Sequence, residues 1–195
     1  EVADHHAALA LYRELGNGEA LSLLVDATLP GLVDPAERTQ LRLEKAQYLI
    51  DSERDDDAIE LLRDACLDAP DSIEAAALLE SVLRKEGNEE ALSEFLWQRF
   101  NEARERGNPS TVTDVACRLG ALLDQLGQDS MHVFAQALEV APESADLLRG
   151  MLARIGDEVD ATEQANLTER LLLVEQPDLA AELALALVGM REALD

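Results

Sequence analysis

The sequence predicts an all-α solenoid, in which antiparallel helix hairpins stack in a row, and three observations support this prediction. Apolar residues make up 47% of the 195 residues, and most are alanine or leucine, a composition that favours helices over strands. Glycine, proline and capping residues recur at intervals of about one helix. Two segments also recur along the chain at almost the same offset.

Hydrophobic spacing predicts a series of helices in pairs. They are expected at residues 4–15 and 19–28, 35–50 and 58–69, 73–86 and 89–106, 111–126 and 130–141, 144–155 and 160–176, and 178–194. Taken in order, they form hairpins at about 1–34, 35–72, 73–107, 108–143 and 144–177, followed by a terminal helix at 178–194.

The ends of the first two hairpins are marked by residues that stop or start helices. Gly16-Asn17-Gly18 tolerates the left-handed conformation that closes a helix, and Pro30-Gly31 breaks the next one. Asp34-Pro35 places a capping carboxylate before a proline at the first helical position. We expect the acidic segment Asp51 to Asp57 to form the turn of the second hairpin and Pro70 to end it.

Residues that end or start helices also mark the later hairpins. Gly87-Asn88 separates the helices of the third hairpin, and Gly107-Asn108-Pro109 starts the fourth with an asparagine cap and a proline. Gly127 marks the turn of the fourth hairpin. Asp160 and Glu163 have the spacing of a capping box in the fifth.

The repeat is visible in the residues themselves. GNGEALS at 16–22 recurs as GNEEALS at 87–93, and ACLDAPDS at 65–72 recurs as ALEVAPES at 137–144. The offsets are 71 residues (16 to 87) and 72 residues (70 to 142). With one copy in between, the unit belongs to the class of helical hairpin repeats of about 34 residues.

This pattern resembles the tetratricopeptide repeat family, in a divergent bacterial form. The family has a small residue early in the second helix, a large apolar residue four positions later and a proline at the exit, as in Ala58, Leu62 and Pro70. Leucine replaces the aromatic residue of the first helices, so another paired-helix solenoid stays an alternative. Partial matches are Ala20 with Leu24, Ala91 with Phe95, Ser130 with Phe134 and Pro142, and Leu119-Gly120 with Leu123.

The resemblance implies a right-handed superhelix whose concave groove, lined by the first helix of each hairpin, binds peptides or partner helices. Some family members clamp a C-terminal carboxylate with lysine and asparagine, which this sequence lacks at the matching positions, so we do not expect an adaptor for chaperone tails. An internal peptide or amphipathic helix is expected instead. Carried over by register, the groove residues are Gln40, Leu43, Gln47, Ile50, Glu74, Ala77, Ser81 and Lys85.

Charge limits the class of partner. The formal charge of −25 argues against nucleic acid, because phosphate binding needs clusters of lysine and arginine that are missing here. An evenly solvated exterior is the simpler interpretation of this charge, and steering of a basic partner is the alternative.

Several features bear on compartment and on the extent of the chain. No apolar run is long enough to span a membrane, and Glu1 does not open a signal peptide. Cys66 and Cys117 show no metal spacing and are expected to be buried free thiols. We therefore expect a cytoplasmic protein without a membrane partner, and we interpret the sequence as a piece of a longer one.

No pattern in the sequence predicts catalysis, a cofactor or a metal site. His5 and His6 are adjacent and cannot share a helix face, and no further ligand follows at a useful spacing. The acidic turn fails as a calcium loop, because Asp56 stands where glycine is needed and Leu62 where glutamate is needed. Phosphate loops and nucleophile elbows are missing too, so we expect that this chain is not an enzyme.

Two further features bear on partners. Trp97 lies off the inward stripe of its helix, so it either packs on the next hairpin or forms an exposed aromatic contact site. The terminal helix has one apolar stripe and, off that stripe, Leu185 and Val188, which suits a sandwiched helix and could drive self-association. The apolar stripe consists of Leu179, Leu183, Leu187, Met190 and Leu194.

Three hypotheses of function follow from these observations. The chain is a protein-interaction scaffold, a structural spacer or oligomerisation arm, or a helical accessory domain of a larger enzyme. Light scattering separates the first two hypotheses, because a strictly monomeric chain at high concentration would count against an oligomerisation arm.

Overall fold

The computed structural model describes residues 2–155, 161–175 and 177–192, and every regular element in those ranges is a helix. The prediction of an all-α solenoid is confirmed. The α-helices are α1 (Val2–Leu15), α2 (Gly18–Thr28), α3 (Pro35–Asp51), α4 (Asp55–Asp68), α5 (Ile73–Lys85), α6 (Glu89–Glu105), α7 (Pro109–Gln125), α8 (Met131–Val140), α9 (Ala145–Leu152), α10 (Ala161–Val174) and α11 (Pro177–Glu192), and a 3-10 turn spans Leu29–Gly31.

The chain forms two compact units, Glu1–Leu92 and Ser93–Asp195. In the first unit, α1 packs on α2, α2 on α3, α3 on α4 and α4 on α5, and α3 also contacts α5. In the second unit, α7 packs on α8, α8 on α9, α9 on α10 and α10 on α11, and α7 also contacts α9. Within each unit, consecutive helices therefore bury one another, as hairpins of a solenoid do.

The helix starts follow the capping residues of the sequence. The side chains of Asn17, Asp34, Ser72, Asn108 and Ser144 each accept a hydrogen bond from a backbone N–H in the first turn of the next helix. These bonds satisfy donors that have no partner inside a helix. Gly16 and Gly87, from the two copies of the repeated segment, have φ of 63° and 65°, and this left-handed conformation lets the chain reverse.

The acidic segment differs from its prediction as a turn that extends to Asp57. Helix α4 begins at Asp55, so Asp55, Asp56 and Asp57 form its first turn, where carboxylates interact favourably with the helix dipole. Asp55 is buried and accepts a hydrogen bond from Lys85 Nζ of α5 at 2.6 Å. This bond raises the pKa of Lys85 above its ordinary value. The segment therefore joins two hairpins and also places three carboxylates in the first turn of α4.

Two other predictions lie outside what the structure describes. Asp160 is not among the described residues, and the side chains of His5 and His6 are not described. Of the three alanines that match the small-residue position of the repeat pattern, Ala58 is fully buried, whereas Ala20 and Ala91 are half-buried.

Phe134 occupies the centre of the second unit. Its ring is 1% exposed and lies against two helical glycines, Gly120 of α7 and Gly150 of α9. A Cβ atom at either position would come within 2.4 Å of a ring carbon, so glycine is required for this packing. The Arg154 guanidinium covers the ring at 4.2 Å from its centroid, a cation–π distance.

Arg154 also connects α7 to the residues that follow α9. Its guanidinium donates hydrogen bonds to both carboxylate oxygens of Asp124 and to Ser130 Oγ, and Ser130 donates to Asp124. Burial raises the pKa of Asp124, but the hydrogen bonds from Ser130 and Arg154 and the charge of Arg154 outweigh it and hold the pKa below its ordinary value.

The depressed pKa predicts a pH dependence for this contact. A carboxyl group with a lower pKa in the folded state stabilises the fold above its unfolded pKa of about 3.9, and this stabilisation is lost as the pH falls through the folded value. Because Asp124 is 43% exposed, we expect Asp124→Asn to lower the free energy of unfolding by at most about 1 kcal/mol at pH 7. Urea titrations of both proteins at pH 7 and pH 3 measure this change in the free energy of unfolding. An equal change at the two pH values would contradict the predicted pH dependence.

Candidate functional site

The predicted groove residues lie on α3 and α5, which contact each other within the first unit. Leu43 belongs to the core, at 6% exposure, and is not available to a ligand in this structure. Ile50 is half-buried. The exposed members are Gln40, Gln47, Glu74, Ala77, Ser81 and Lys85.

Three of these exposed side chains have local partners. Gln47 Nε2 donates a hydrogen bond to Asp51 Oδ1 at 2.9 Å, and Ser81 Oγ donates to the Leu78 carbonyl oxygen at 2.8 Å. Lys85 pairs with Asp55. The α3–α5 face is therefore polar and internally bonded, and the assignment of its residues to a ligand groove stays a prediction.

A cleft that the sequence does not predict lies between α7 and α9 in the second unit. Its volume is about 950 Å³. Helix α7 contributes its first two turns, the segment between α8 and α9 closes one end, and α9 supplies the opposite wall. The residues on which its chemistry depends are Pro109, Asp114, Cys117, Val140, Pro142, Glu143, Asp146 and Arg149.

The turn that closes the cleft is held from two sides. Thr113 Oγ1 of α7 donates a hydrogen bond to Ser144 Oγ at 3.2 Å, and Arg170 of α10 donates to the Pro142 carbonyl oxygen at 3.0 Å. Ser144 Oγ in turn accepts from the Leu147 N–H and caps α9. These bonds hold the end of the cleft in place between α7 and α10.

The interior of the cleft is mainly apolar. Pro109, Val140, Ala141 and Pro142 present hydrocarbon, and Cys117 lies half-buried beside them. Burial raises the pKa of Cys117 above its ordinary value; the Asp146 charge adds to this effect and the Arg154 charge opposes it. The thiol is therefore protonated at neutral pH and acts as part of the apolar surface.

The rim of the cleft is negatively charged. Among its described residues, Asp114, Glu143 and Asp146 are acidic and Arg149 alone is cationic. Arg149 donates to both oxygens of Glu175 at 2.7 and 2.9 Å, and to Asp146 at 2.7 Å. The hydrogen bond to Glu175, whose side chain is only 2% exposed, is the main cause that raises the pKa of Arg149. The charge of Arg149 is thus neutralised from within the protein.

A second, smaller cleft of about 450 Å³ is formed by α2, α3 and α4 in the first unit. Leu23 on its edge is 67% exposed, but the cations that line it are already paired, Lys45 with Asp26 and Arg54 with Asp57. This cleft is more polar than the α7–α9 cleft and has less apolar surface to offer a partner.

Trp97 is half-buried and packs inside the second unit. Its ring stacks on His132 of α8 at 5.3 Å between centroids and meets the buried Phe100 edge-on at 5.8 Å. These contacts agree with the first of its two predicted alternatives, packing on the next hairpin. A further role as an exposed aromatic contact site stays a prediction.

The terminal helix α11 has the two faces expected from its sequence. Leu187 is buried at 9% exposure, whereas Leu185 and Val188 are 76% and 54% exposed. The stripe residues Leu179 and Leu194 lie outside the described side chains.

The described part of the chain has neither a metal cluster nor a helix suited to a membrane. Nowhere in residues 2–155, 161–175 and 177–192 do three or more His, Cys, Asp or Glu side chains meet in a way that could hold a metal ion. In the same ranges, no helix combines the length and the apolar character needed to cross a bilayer.

The packing of consecutive helices within each unit defines this chain as a solenoid of helical hairpins. No protein-family model matches the sequence, and no curated protein matches it. Among solved structures the chain is similar to MamA: MamA AMB-1 in crystal form P212121 has 18% sequence identity and a TM-score of 0.49 over 92% of this chain and 96% of that one. MamA AMB-1 in crystal form C2221 has 18% identity and a TM-score of 0.45 over 89% and 98%. A further crystal structure of MamA has 15% identity and a TM-score of 0.45 over 98% and 92%.

Proposed function

We propose that this chain is a divergent tetratricopeptide-like scaffold that binds a peptide or a partner helix and does not itself catalyse a reaction. The observation that supports the proposal is the packing of alternate helices. In the first unit the first helices α3 and α5 touch directly, and in the second unit α7 and α9 do, while the intervening second helices α4 and α8 each pack against both of their neighbours.

This arrangement separates stability from recognition. The core is built from leucine and alanine, including Ala46, Leu49, Ala75 and Leu79 on the facing helices, all at most 2% exposed. The outward faces of the same helices contribute little to that core, so their side chains can vary to suit a partner. Stacked hairpins provide an extended surface of this kind for protein ligands.

The exposed α3–α5 face suits an internal segment of a partner more than a C-terminal carboxylate. Its one lysine, Lys85, already pairs with Asp55, and Gln47 and Ser81 offer only neutral polar groups. Binding there would rely on amide and hydroxyl hydrogen bonds along the partner backbone.

Substituting this face tests the proposal. In affinity capture from a lysate of the source organism, we expect the double variant Gln47→Ala, Ser81→Arg to lose a discrete partner that the unaltered chain retains. The arginine adds bulk and charge at an exposed position of α5. Quantitative mass spectrometry of the captured proteins, at low and high salt, is the measurement.

A double variant of α4 provides the control. Asp56→Ala with Arg63→Lys changes the net charge by the same amount at exposed positions of a second helix, and it should retain the partner. If both variants capture the same set, the α3–α5 face is not the binding surface. Capture of nothing but further copies of this chain would favour the oligomerisation arm, with the exposed Leu185 and Val188 of α11 as its contact face.

A further inference from the structure

We infer that the α7–α9 cleft, formed between the first helices of the fourth and fifth hairpins, binds a peptide segment in which arginine or lysine flanks an apolar side chain. The inference rests on the proposed scaffold function and concerns the part of the first-helix surface that lies in the second unit, where none of the α3–α5 residues takes part. It follows from the shape, the apolar interior and the charge of the cleft.

The interior of the cleft requires an apolar group. Pro109, Val140, Pro142 and the protonated Cys117 line a volume large enough for one or two aliphatic side chains. Thr113 and Ser144, two polar side chains that also line the cleft, are bonded to each other. An apolar side chain entering here would release water without leaving these two hydroxyl groups unpaired.

The negative charge of the rim favours a cationic ligand. Glu143 forms no ion pair within the described residues, Asp114 pairs only with the neighbouring Arg118 on the same helix, and Asp146 shares Arg149 with Glu175. Both Glu175 oxygens engage the Arg149 guanidinium, so this cation offers little to a ligand carboxylate. Charge complementarity therefore selects arginine or lysine and disfavours acidic segments.

The acidic rim and the apolar interior belong to the same cleft, so a single ligand can contact both. Asp146 and Cys117 line the same cleft, and the charge of Asp146 adds to the effect of burial in raising the pKa of the thiol. A cation at the rim and an apolar side chain at Cys117 would therefore belong to neighbouring residues of the same segment.

Fluorescence anisotropy with two labelled peptides tests this inference. The first alternates arginine with leucine, and the second has glutamine in place of every arginine. We expect the full chain to bind the arginine peptide at least about tenfold more tightly than the glutamine peptide, and the triple variant Asp114→Asn, Glu143→Gln, Asp146→Asn to weaken it about tenfold. Ser110→Trp, which fills the cleft from an exposed position without changing charge, should weaken both peptides.

A matched triple variant separates the cleft from general attraction to an acidic protein. Glu94→Gln, Glu105→Gln and Glu163→Gln remove the same charge from exposed positions of the second unit that do not line the cleft, and binding should be unchanged. Equal weakening by both triple variants, or no effect of Ser110→Trp, would overturn the inference. The α3–α5 variant Gln47→Ala, Ser81→Arg should bind the arginine peptide normally, so that either proposal can fail without the other.

Discussion

Replacing Phe134 with alanine is expected to lower the free energy of unfolding of the second unit by about 3–5 kcal/mol. The ring is almost completely buried between α7 and α9, and the Arg154 guanidinium covers it. Gly120 and Gly150 lie against the ring and have no side chains that could move into the vacated space. The cavity would therefore persist, and its cost would add to the lost transfer free energy. Chemical denaturation followed by circular dichroism measures the change.

Phe95 provides the matched control for this substitution. It lies in the same unit on α6 but is only half-buried, and its described ring contact is with Arg99 of the same helix. Phe95→Ala should cost clearly less than Phe134→Ala. Equal losses, or a loss below about 1 kcal/mol at Phe134, would show that the ring is not the central packing element that its burial implies.

Gly150→Ala is expected to destabilise the second unit, although the same change normally stabilises a helix. Alanine gains about 1 kcal/mol in helix propensity over glycine. At Gly150, however, the new Cβ would lie 2.3 Å from a carbon of the Phe134 ring, and the ring cannot retreat because Gly120 lies against its other edge. Overpacking costs about 1–3 kcal/mol, and after the propensity gain of about 1 kcal/mol is subtracted we expect a net loss of up to about 2 kcal/mol in denaturant titration.

Gly189 shows what the same substitution does where there is space. It lies in α11, and a Cβ atom there meets nothing within 4 Å. Gly189→Ala should therefore stabilise the chain by about 0.5–1 kcal/mol. Combining Gly150→Ala with Phe134→Leu should recover part of the loss. If Gly150→Ala stabilised as much as Gly189→Ala, the close approach to Phe134 would be disproved.

The helices could be predicted closely because their ends depend on local chemistry. Asn17, Asp34, Ser72, Asn108 and Ser144 cap helices through bonds that span two or three residues, and such signals are visible in the sequence. The acidic segment was harder. Asp55 begins α4 and also bonds to Lys85, thirty positions away, and this second contact is not visible in the local sequence.

The packing around Phe134 could be predicted only in part. The Leu119-Gly120 pair matches part of the repeat pattern, but nothing local indicates that Gly150 faces the same ring. That contact depends on how α8 lies between α7 and α9. Leu43 illustrates the same limit, because register along one helix does not show that a neighbouring helix buries this side chain.

The α7–α9 cleft escaped prediction because three separate segments form it. In the sequence, Val140, Ala141 and Pro142 have the pattern of an apolar helix end followed by an exit proline, and Pro109 has that of a helix start. Their shared exposure to one space follows only from the packing of α7 beside α9. The neutralisation of Arg149 by Glu175, which follows the second helix of the same hairpin, is equally non-local, so the charge of the rim could not be worked out from composition.

The distribution of aromatic residues gives each unit its own spectroscopic signal. Trp97, the single tryptophan of the chain, lies in the second unit, whereas both tyrosines, Tyr12 and Tyr48, lie in the first. Tryptophan emission, excited beyond the tyrosine band, therefore reports on the second unit alone, through the stacking of Trp97 on His132, and second-derivative absorbance, which resolves the tyrosine bands from those of tryptophan, reports on the first. A single unlabelled sample can thus show whether the two units unfold together or one after the other.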